Sequence, residues 1–230
     1  MRSDEKALLL LTSRQVGKSH VVSLRAAYRA RFMRRRVGIV SPTQRQSNIV
    51  YGRVKEWVRR DGKARLARDT ATVLELEGGG AVVSFPGDRP DVSVRGETLD
   101  DLIVDEAAQV KDSLIAAATP TTAARPDASI IYLSTPFGAR GAFYKAWQEE
   151  DVWTKITVGA EECSRIRPDF LAKEKVRLGI LWEQEYACRF LASVGGLFDP
   201  LAIDDLFSGT PQTAEMDWVP RISGDARDWL

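Results

Sequence analysis

Three residues near the start of the chain could bind a phosphate group. Gly17, Lys18 and Ser19 follow the apolar run LLLLT and precede an amphipathic stretch, which is the order of a strand, a loop and a helix. Backbone N–H groups of such a loop and the N-terminus of the helix bind phosphate oxygens. The lysine then bridges the β- and γ-phosphates of a nucleotide, and the serine hydroxyl ligates Mg²⁺. Thr12 stands where the usual pattern has its first glycine. The loop is completed by Ser13, Arg14, Gln15 and Val16.

Two adjacent carboxylates end a second apolar run, LIVDE. Asp105 closes the run and Glu106 follows it. At the end of a strand, Asp105 would hold Mg²⁺ directly or through water, together with the Ser19 hydroxyl. Glu106 would orient and polarise an attacking water, which hydrolysis requires. The acids could instead cap the next helix, because helix N-termini favour negative charge. The loop and the acids, occurring in this order, favour nucleotide hydrolysis.

Two hydroxyl residues end the next apolar run, IIYLSTP. In a parallel sheet this strand can lie beside the Asp105 strand, which would bring Ser134 and Thr135 near the γ-phosphate. There they would sense hydrolysis and couple it to the following segment. The alternative interpretation is a simple Ser/Thr turn before Pro136.

Short apolar runs and longer amphipathic stretches alternate along the chain and must position these residues. Strands are expected at 7–11, 37–41 and near 153–158, helices at 18–31, 44–59 and after Gly141, two more helices across 169–191, and a hairpin turning at 78–80. This order predicts an α/β, three-layer P-loop NTPase fold, with a mostly parallel central sheet flanked by helices. We expect the ATPase core over 1–160, a small helical lid or linker subdomain over 161–200, and a linker over 201–230.

Composition limits the class of protein. The 230 residues are 44% hydrophobic and 28% charged, which is ordinary for a soluble globular protein. The formal net charge of +1 gives no general attraction for DNA or anionic lipid, so any nucleic-acid contact needs a local patch or several subunits. His20 is the only histidine, which excludes a zinc site with several histidines. The run at 8–11 is too short to span a bilayer, and no targeting segment is predicted.

Four segments together resemble the large terminase subunit of tailed bacteriophages and prophages. They are SRQVGKS, SVRGETLDDLIVDEAAQV, LSTPFGARGAFYKAW and WEQEYACRFLASVGGLFD, in the order of that family. The resemblance implies a RecA-like ATPase of the additional-strand (ASCE) class that uses ATP and Mg²⁺. It implies that the protein assembles as a ring on a portal protein, works with a small terminase subunit, and drives double-stranded DNA into a procapsid. The resemblance places the protein in the cytoplasm of the bacterial host, with no membrane partner.

The same resemblance implies roles for two arginines. Arg14 would contact the γ-phosphate or move with it, and Arg95 matches the arginine proposed to reach the nucleotide of a neighbouring subunit. A guanidinium suits both roles because it stays charged and binds two phosphate oxygens at once. It would stabilise the charge that develops in the transition state. The alternative for Arg95 is a solvated loop arginine.

The family pattern is incomplete in this sequence. The family has an upstream glutamine-containing segment that holds adenine, and a C-terminal nuclease whose carboxylates bind two metals. Too few residues follow Phe198 to fold such a domain, although Asp225 faintly matches its first acid. We therefore expect no nuclease activity from this chain, and adenine recognition stays open.

Two basic runs with interleaved aromatic residues occupy 25–36 and 53–68. They could track DNA phosphates in the pore of a ring, or they could be solvated helix faces, which are more common. The second interpretation makes Phe32 and Trp57 core residues, and Trp182 and Tyr186 are expected to be packing residues as well.

Two alternative functions stay open. The stretch SPTQRQ after the second strand resembles a helicase strand-contact motif, which would make the protein a helicase-like DNA translocase. Such an enzyme requires a second RecA-like domain, which does not fit in a sequence of this length. The other alternative is a truncated remnant that binds nucleotide without turnover.

Overall fold

An eight-stranded sheet forms the centre of the structure, a computed structural model that describes residues 6–87 and 94–191. The strands are β1 (Ala7–Thr12), β2 (Arg36–Ser41), β3 (Leu66–Asp69), β4 (Val73–Leu76), β5 (Ala81–Pro86), β6 (Asp101–Asp105), β7 (Ser129–Ser134) and β8 (Thr154–Val158). The helices are α1 (Lys18–Met33), α2 (Gln44–Arg60), α3 (Asp112–Ala118), α4 (Gly141–Gln148), α5 (Pro168–Leu178) and α6 (Leu181–Glu185). Short 3₁₀ turns occupy Ala107–Gln109, Thr119–Thr122 and Ala160–Glu162.

The strand order is β3-β4-β5-β2-β6-β7-β1-β8. In this order, every pair of neighbouring strands between β5 and the edge strand β8 is parallel. The pairs β3–β4 and β4–β5 are antiparallel. The strand that precedes the loop, β1, is therefore separated from the strand of acids, β6, by one additional strand, β7. The predicted fold class, a mostly parallel sheet of the P-loop type flanked by helices, is confirmed.

All parallel strands except the edge strand β8 are buried on both faces, which explains why they appear in the sequence as continuous apolar runs. Successive residues of β1 point to opposite faces. Leu8 and Leu10 join a core cluster with residues of α1 and α2, whereas Leu9 and Leu11 join a second cluster that includes Leu114 of α3 and Phe143 of α4. The helices thus cover the two faces of the sheet as two outer layers.

The hairpin predicted around the three glycines is formed by β4 and β5. Gly78 and Gly79 adopt φ values of 108° and 102°, which glycine reaches without steric cost. Gly80 needs to be small for another reason, since a Cβ there would lie 1.9 Å from the carbonyl oxygen of Ala30. The glycines therefore make the turn and let β5 begin against the end of α1.

The structure contains two elements that the sequence did not predict. Strand β3 is polar and mostly exposed, and it pairs only with β4 at the edge of the sheet, so it has no alternating apolar pattern. Helix α3 spans seven residues, too few for a helical period to be recognised. The last predicted helix ends at Glu185 rather than near 191.

The residues after β8 have a small apolar cluster of their own. Its buried members are Ala160, Leu171, Trp182 and Tyr186, and the rings of Trp182 and Tyr186 stack at 4.7 Å. Both aromatic residues are packing residues, as predicted. The three-part division of the chain remains a prediction, and the proposed linker over 201–230, with Asp225, lies outside the described residues. No helix in the ranges 6–87 and 94–191 is both long and apolar enough to cross a membrane.

Candidate active site

The loop after β1 lies at the carboxyl edge of the sheet. The Ser13 N–H donates to the Val158 carbonyl at 2.9 Å, which ties the start of the loop to the end of β8. Gln15 and Gly17 then adopt left-handed backbone conformations, with φ of 64° and 93°. A side chain at Gly17 would be strained by this φ. Its Cβ would also lie 2.6 Å from a guanidinium nitrogen at the end of the Arg165 side chain. The loop backbone turns directly into α1, whose first residue is Lys18.

A pocket of about 400 Å³ opens beside this loop. It is lined by Gln15, Gly17, Lys18, Ser19, His20, Arg53 and Arg165. Lys18, Arg53 and Arg165 are basic residues, and no carboxylate is among the lining residues that the structure describes. A concave site with this lining attracts an anion with several charges, such as a polyphosphate.

Ser19 and Asp105 face each other beside the phosphate loop. The Ser19 hydroxyl oxygen lies 3.4 Å from each carboxylate oxygen of Asp105. Within residues 6–87 and 94–191, no group of three or more His, Cys, Asp or Glu side chains could hold a metal on its own. Mg²⁺ commonly takes one or two protein oxygens and completes its shell with water and phosphate. The hydroxyl and the carboxylate therefore fit Mg²⁺ bound together with a nucleotide.

Asp105 is a carboxylate in an unfavourable position for a charge. Its burial, and then the neighbouring charge of Glu106, raise its pKa to about 6, although Lys18 and Ser19 act in the opposite direction. A buried acid with a raised pKa in a cleft is typical of a functional site.

Glu106 is held next to Lys18 by a strained backbone. Its φ is 51°, a left-handed value that a non-glycine residue rarely adopts and that occurs often at active sites. One carboxylate oxygen lies 2.9 Å from the Lys18 ammonium. The other is buried without a hydrogen-bond partner in the described part of the chain. Glu106 therefore has one oxygen with unused capacity to accept a hydrogen bond.

The hydroxyl residues at the end of β7 are buried next to the turn that carries Glu106. β6 and β7 pair with Asp105 opposite Leu133, so Ser134 follows immediately. The Ser134 hydroxyl accepts a hydrogen bond from the Ala108 N–H at 3.2 Å. Thr135 is also buried. The structure thus brings these residues to the turn of Glu106, rather than to the pocket lining itself.

Arg14 is turned toward α6 and does not line the pocket. Its guanidinium forms an ion pair with the carboxylate of Glu185, and its backbone N–H donates to the Glu185 carbonyl at 3.2 Å. The side chain remains more than half exposed. Glu185 was not singled out from the sequence, because its partner lies 171 residues earlier.

Arg95 is not brought to the loop of its own chain. It is exposed in a turn before β6 and forms no hydrogen bond or ion pair with another described residue. Two residues later, Glu97 accepts a hydrogen bond from Arg36 at 2.9 Å, at the start of β2. This contact lies at the amino edge of the parallel strands, whereas the loop lies at the carboxyl edge.

The pocket includes three residues that were not predicted to belong to the nucleotide site, namely His20, Arg53 and Arg165. The ring of His20 packs edge-on against Trp57 with centroids 5.2 Å apart. Arg165 donates to the Val16 carbonyl at 2.6 Å. His20 follows the loop directly as the third residue of α1. No local motif marks Arg53 and Arg165, since they reach the loop only through the packing of α2 and of the segment after β8.

Ion pairs inside the chain occupy most arginines of the first basic run but fewer of the basic residues of the second. Arg29 and Arg35 pair with Asp101, Arg31 with Asp61, Arg36 with Glu97, and Arg59 with Asp69. Trp57 packs against the core as predicted, but the prediction for Phe32 is wrong, because its side chain is 61% exposed. Phe32 stands on the outer side of α1, where its only described ring neighbour is Tyr28.

Comparison with known protein families gives one consistent match. A family model described as "Terminase large subunit, T4likevirus-type, N-terminal" matches residues 9–200. The curated relatives include the large terminase subunits of Thermus phage G20c and Thermus virus P23-45. Each is 32% identical over 158 residues, which is 60% of this chain and 32% of the relative. The chain thus matches about a third of the length of these relatives.

Solved structures agree with this match. The large terminase ATPase domain of Thermus phage P74-26 superposes with a TM-score of 0.71 at 25% identity, covering 83% of this chain and 90% of that domain. The large terminase of another thermophilic bacteriophage, in complex with ATP-gamma-S, gives a TM-score of 0.67 at 17% identity, covering 83% and 49% of the two chains. At this identity the second likeness concerns the fold alone.

Proposed function

The chain belongs to the large terminase subunit family, and from that premise we propose that it is the ATPase motor domain of a viral DNA-packaging machine. It would hydrolyse ATP with Mg²⁺ and use the free energy to move double-stranded DNA into a procapsid. The observation that carries this proposal is the meeting of Lys18, Asp105 and Glu106 beside one cationic pocket. Lys18 suits phosphate binding, Asp105 suits metal binding, and Glu106 suits the activation of water.

Nucleotide binding begins with an exchange of partners at Lys18. The ammonium now pairs with Glu106, and the phosphates of ATP offer it a larger negative charge. Lys18 would therefore move to the β- and γ-phosphates while the loop N–H groups and the start of α1 bind the remaining oxygens. Departure of Lys18 leaves the Glu106 carboxylate without its counter-ion, facing the nucleotide.

Ser19 and Asp105 would hold the metal ion. When bound there, Mg²⁺ would neutralise charge on the β- and γ-phosphate oxygens. The positive charge would also favour the ionised form of Asp105, whose burial otherwise favours the protonated form. The raised pKa of this carboxyl is thus compatible with a group that functions in its charged state once the site is filled.

Glu106 would be the general base, or the group that orients the attacking water. Its free oxygen can accept one proton of a water molecule, and the second oxygen becomes available once Lys18 leaves. The unusual φ of Glu106 fixes the carboxylate relative to β6, so that the water would be held in line with the γ-phosphate. Ser134 supports this turn through Ala108, and with Thr135 it would couple hydrolysis to α4.

Two arginines complete the proposed site. Arg95, which has no partner among the described residues of its own chain, would contact the nucleotide of the adjacent subunit and stabilise the transition state. Arg14 would exchange Glu185 for the γ-phosphate, which would link nucleotide state to the position of α6.

The partners follow from the family rather than from the geometry. We propose double-stranded DNA as the cargo, a portal protein as the platform on which the subunits form a ring, and a small terminase subunit as a further component. The corresponding location is the cytoplasm of the infected bacterium. The internal ion pairs of the first basic run make that run a weak candidate for the DNA-contacting surface.

The proposal is tested by measuring ADP binding and phosphate release from Mg-ATP on the purified chain. The wild type is expected to bind and hydrolyse ATP, and Lys18→Ala to lose binding. Glu106→Gln is expected to keep binding but to lose roughly a hundredfold or more in turnover. Glu150→Gln, which removes an exposed carboxylate outside the site, serves as the matched control.

The same experiment separates the alternatives. Binding by the wild type with turnover no higher than that of Glu106→Gln would contradict the motor proposal and favour a nucleotide-binding remnant. Strong stimulation by DNA in the absence of a portal would favour a helicase-like translocase.

A further inference from the structure

Arg165 lies over the phosphate loop although it comes from a distant part of the sequence. Its guanidinium donates to the Val16 carbonyl at 2.6 Å and touches the position where a Cβ of Gly17 would stand. The side chain also lines the cationic pocket, together with Lys18 and Ser19. It therefore stands on the side of the loop where a ligand would enter.

The backbone holds the segment that carries Arg165 close to the loop from both sides. Before it, the Val158 carbonyl accepts from Ser13; after it, the Glu185 carbonyl accepts from Arg14. The position of the guanidinium thus follows from two backbone contacts of the loop, as well as from its own hydrogen bond.

The charge of Arg165 is not neutralised by a carboxylate of the described residues. Its side chain forms none of the ion pairs of that part of the chain, whereas Arg167, two residues later, lies 3.5 Å from Asp169. A guanidinium has five N–H donors, so Arg165 can keep its bond to Val16 while binding another acceptor. A phosphate oxygen is a stronger acceptor for it than a neutral carbonyl.

The position of the pocket indicates which phosphate is involved. Asp105 and Glu106 mark the side of the γ-phosphate, and neither lines this pocket. Gly17 and the start of α1 belong to the backbone that holds the α- and β-phosphates. On the basis of the proposed function, we propose that Arg165 is a nucleotide-binding residue that contacts the α- or β-phosphate of a nucleotide bound in its own chain.

A purely structural role is the competing explanation. In that role, Arg165 would only support the loop through the Val16 carbonyl. The two roles predict different rankings of substitutions. Glutamine keeps an N–H donor without the charge, lysine keeps both, and methionine keeps neither. Charge-dependent binding ranks lysine clearly above glutamine, whereas a structural bond to a carbonyl gives these two variants similar behaviour.

The test is the dissociation constants of ADP and ATP for the wild type and for Arg165→Lys, Arg165→Gln and Arg165→Met, measured at several salt concentrations. We expect Arg165→Met and Arg165→Gln to weaken both nucleotides by about tenfold, as the loss of one charge-assisted hydrogen bond implies. Arg165→Lys should recover most of the affinity. The affinity of Arg165→Met should also depend less on salt than that of the wild type. Arg167→Met is the matched control and should bind as the wild type does.

Three results would overturn this assignment. They are equal affinities of Arg165→Gln and Arg165→Lys, a loss confined to ATP, and wild-type affinity in Arg165→Met. Any of these, with a wild type that binds and hydrolyses ATP, leaves the proposed function intact. A wild type that binds neither ADP nor ATP would overturn the proposed function and this assignment together.

Discussion

At the scale of single residues, the ion pair between Lys18 and Glu106 competes with the nucleotide. The two charged groups lie 2.9 Å apart and are largely shielded from solvent, so ATP must separate them when it binds. Replacing Glu106 by glutamine releases Lys18 and removes a negative charge beside the γ-phosphate. We expect Glu106→Gln to bind ATP about fivefold more tightly than the wild type, with a smaller gain for ADP. Isothermal titration measures both, and an unchanged or weaker ATP affinity would argue against this competition.

The buried charge of Asp105 lowers the stability of the folded protein, although the proposed metal site requires that charge. Its pKa is about 6 in the folded protein and about 3.9 in an unfolded chain. The folded state therefore binds the proton more tightly, and stability falls as pH rises from about 4 to about 6. Above that range the buried charge costs on the order of 3 kcal/mol. We expect Asp105→Asn to be more stable than the wild type by this order at pH 8, without Mg²⁺.

Urea unfolding at pH 8, 6 and 5 checks this prediction. The difference between Asp105→Asn and the wild type should shrink as the pH falls. Asp69→Asn provides a control of opposite sign, because the hydrogen bond from Lys55 lowers the pKa of the Asp69 carboxyl. If the difference in unfolding free energy between Asp105→Asn and the wild type does not change with pH, the raised pKa of Asp105 is contradicted.

At the scale of elements, β7 connects the acidic strand to the segment beyond it. The Ser134 hydroxyl accepts from the Ala108 N–H, two residues after Glu106. Ser134→Ala removes that acceptor from a buried position and is expected to cost about 1–2 kcal/mol of unfolding free energy. Because the Glu106 turn loses a support, turnover should fall while ADP affinity stays unchanged. Denaturation measures the unfolding free energy and a phosphate-release assay measures turnover. A Ser134→Ala variant with wild-type stability and wild-type turnover would contradict a role of β7 in the mechanism.

The central strands that the sequence predicted share one property, which is burial of a continuous apolar run. Strands β1, β2, β6 and β7 lie in the middle of the sheet with both faces covered, so hydrophobicity alone locates them. Strand β3 was not predicted because it lacks an apolar pattern, which a strand paired at the edge of the sheet does not require. The phosphate loop and the two acids were recognised because each motif is local and directly follows such a strand.

The remaining parts of the site depend on contacts between residues far apart in sequence. Arg165 meets Val16 across 149 positions and Arg14 meets Glu185 across 171. Neither pair contains a local pattern, and both exist because β8 and the helices after it fold back against β1. The left-handed backbone of Glu106 was also not predictable, since glycine or asparagine is the usual residue at such a φ.

At the scale of the whole molecule, the proposed site needs two chains. Lys18, Asp105 and Glu106 lie at the carboxyl edge of the sheet, whereas the contact of Glu97 with Arg36 holds the Arg95 turn at the opposite edge. A net charge of +1 also gives a single chain little long-range attraction for DNA. Subunits arranged in a ring would bring Arg95 of one chain to the loop of the next and would combine their local patches.

The most direct test mixes two variants that each lack one half of this shared site. Glu106→Gln has an intact Arg95 and Arg95→Ala has an intact Glu106, so each alone should hydrolyse ATP near background. In an equal mixture about a quarter of the interfaces would be complete by random assembly, and hydrolysis should return and rise with protein concentration. If the wild type is active but the mixture stays at background at every concentration, or Arg95→Ala alone is fully active, the shared site is contradicted.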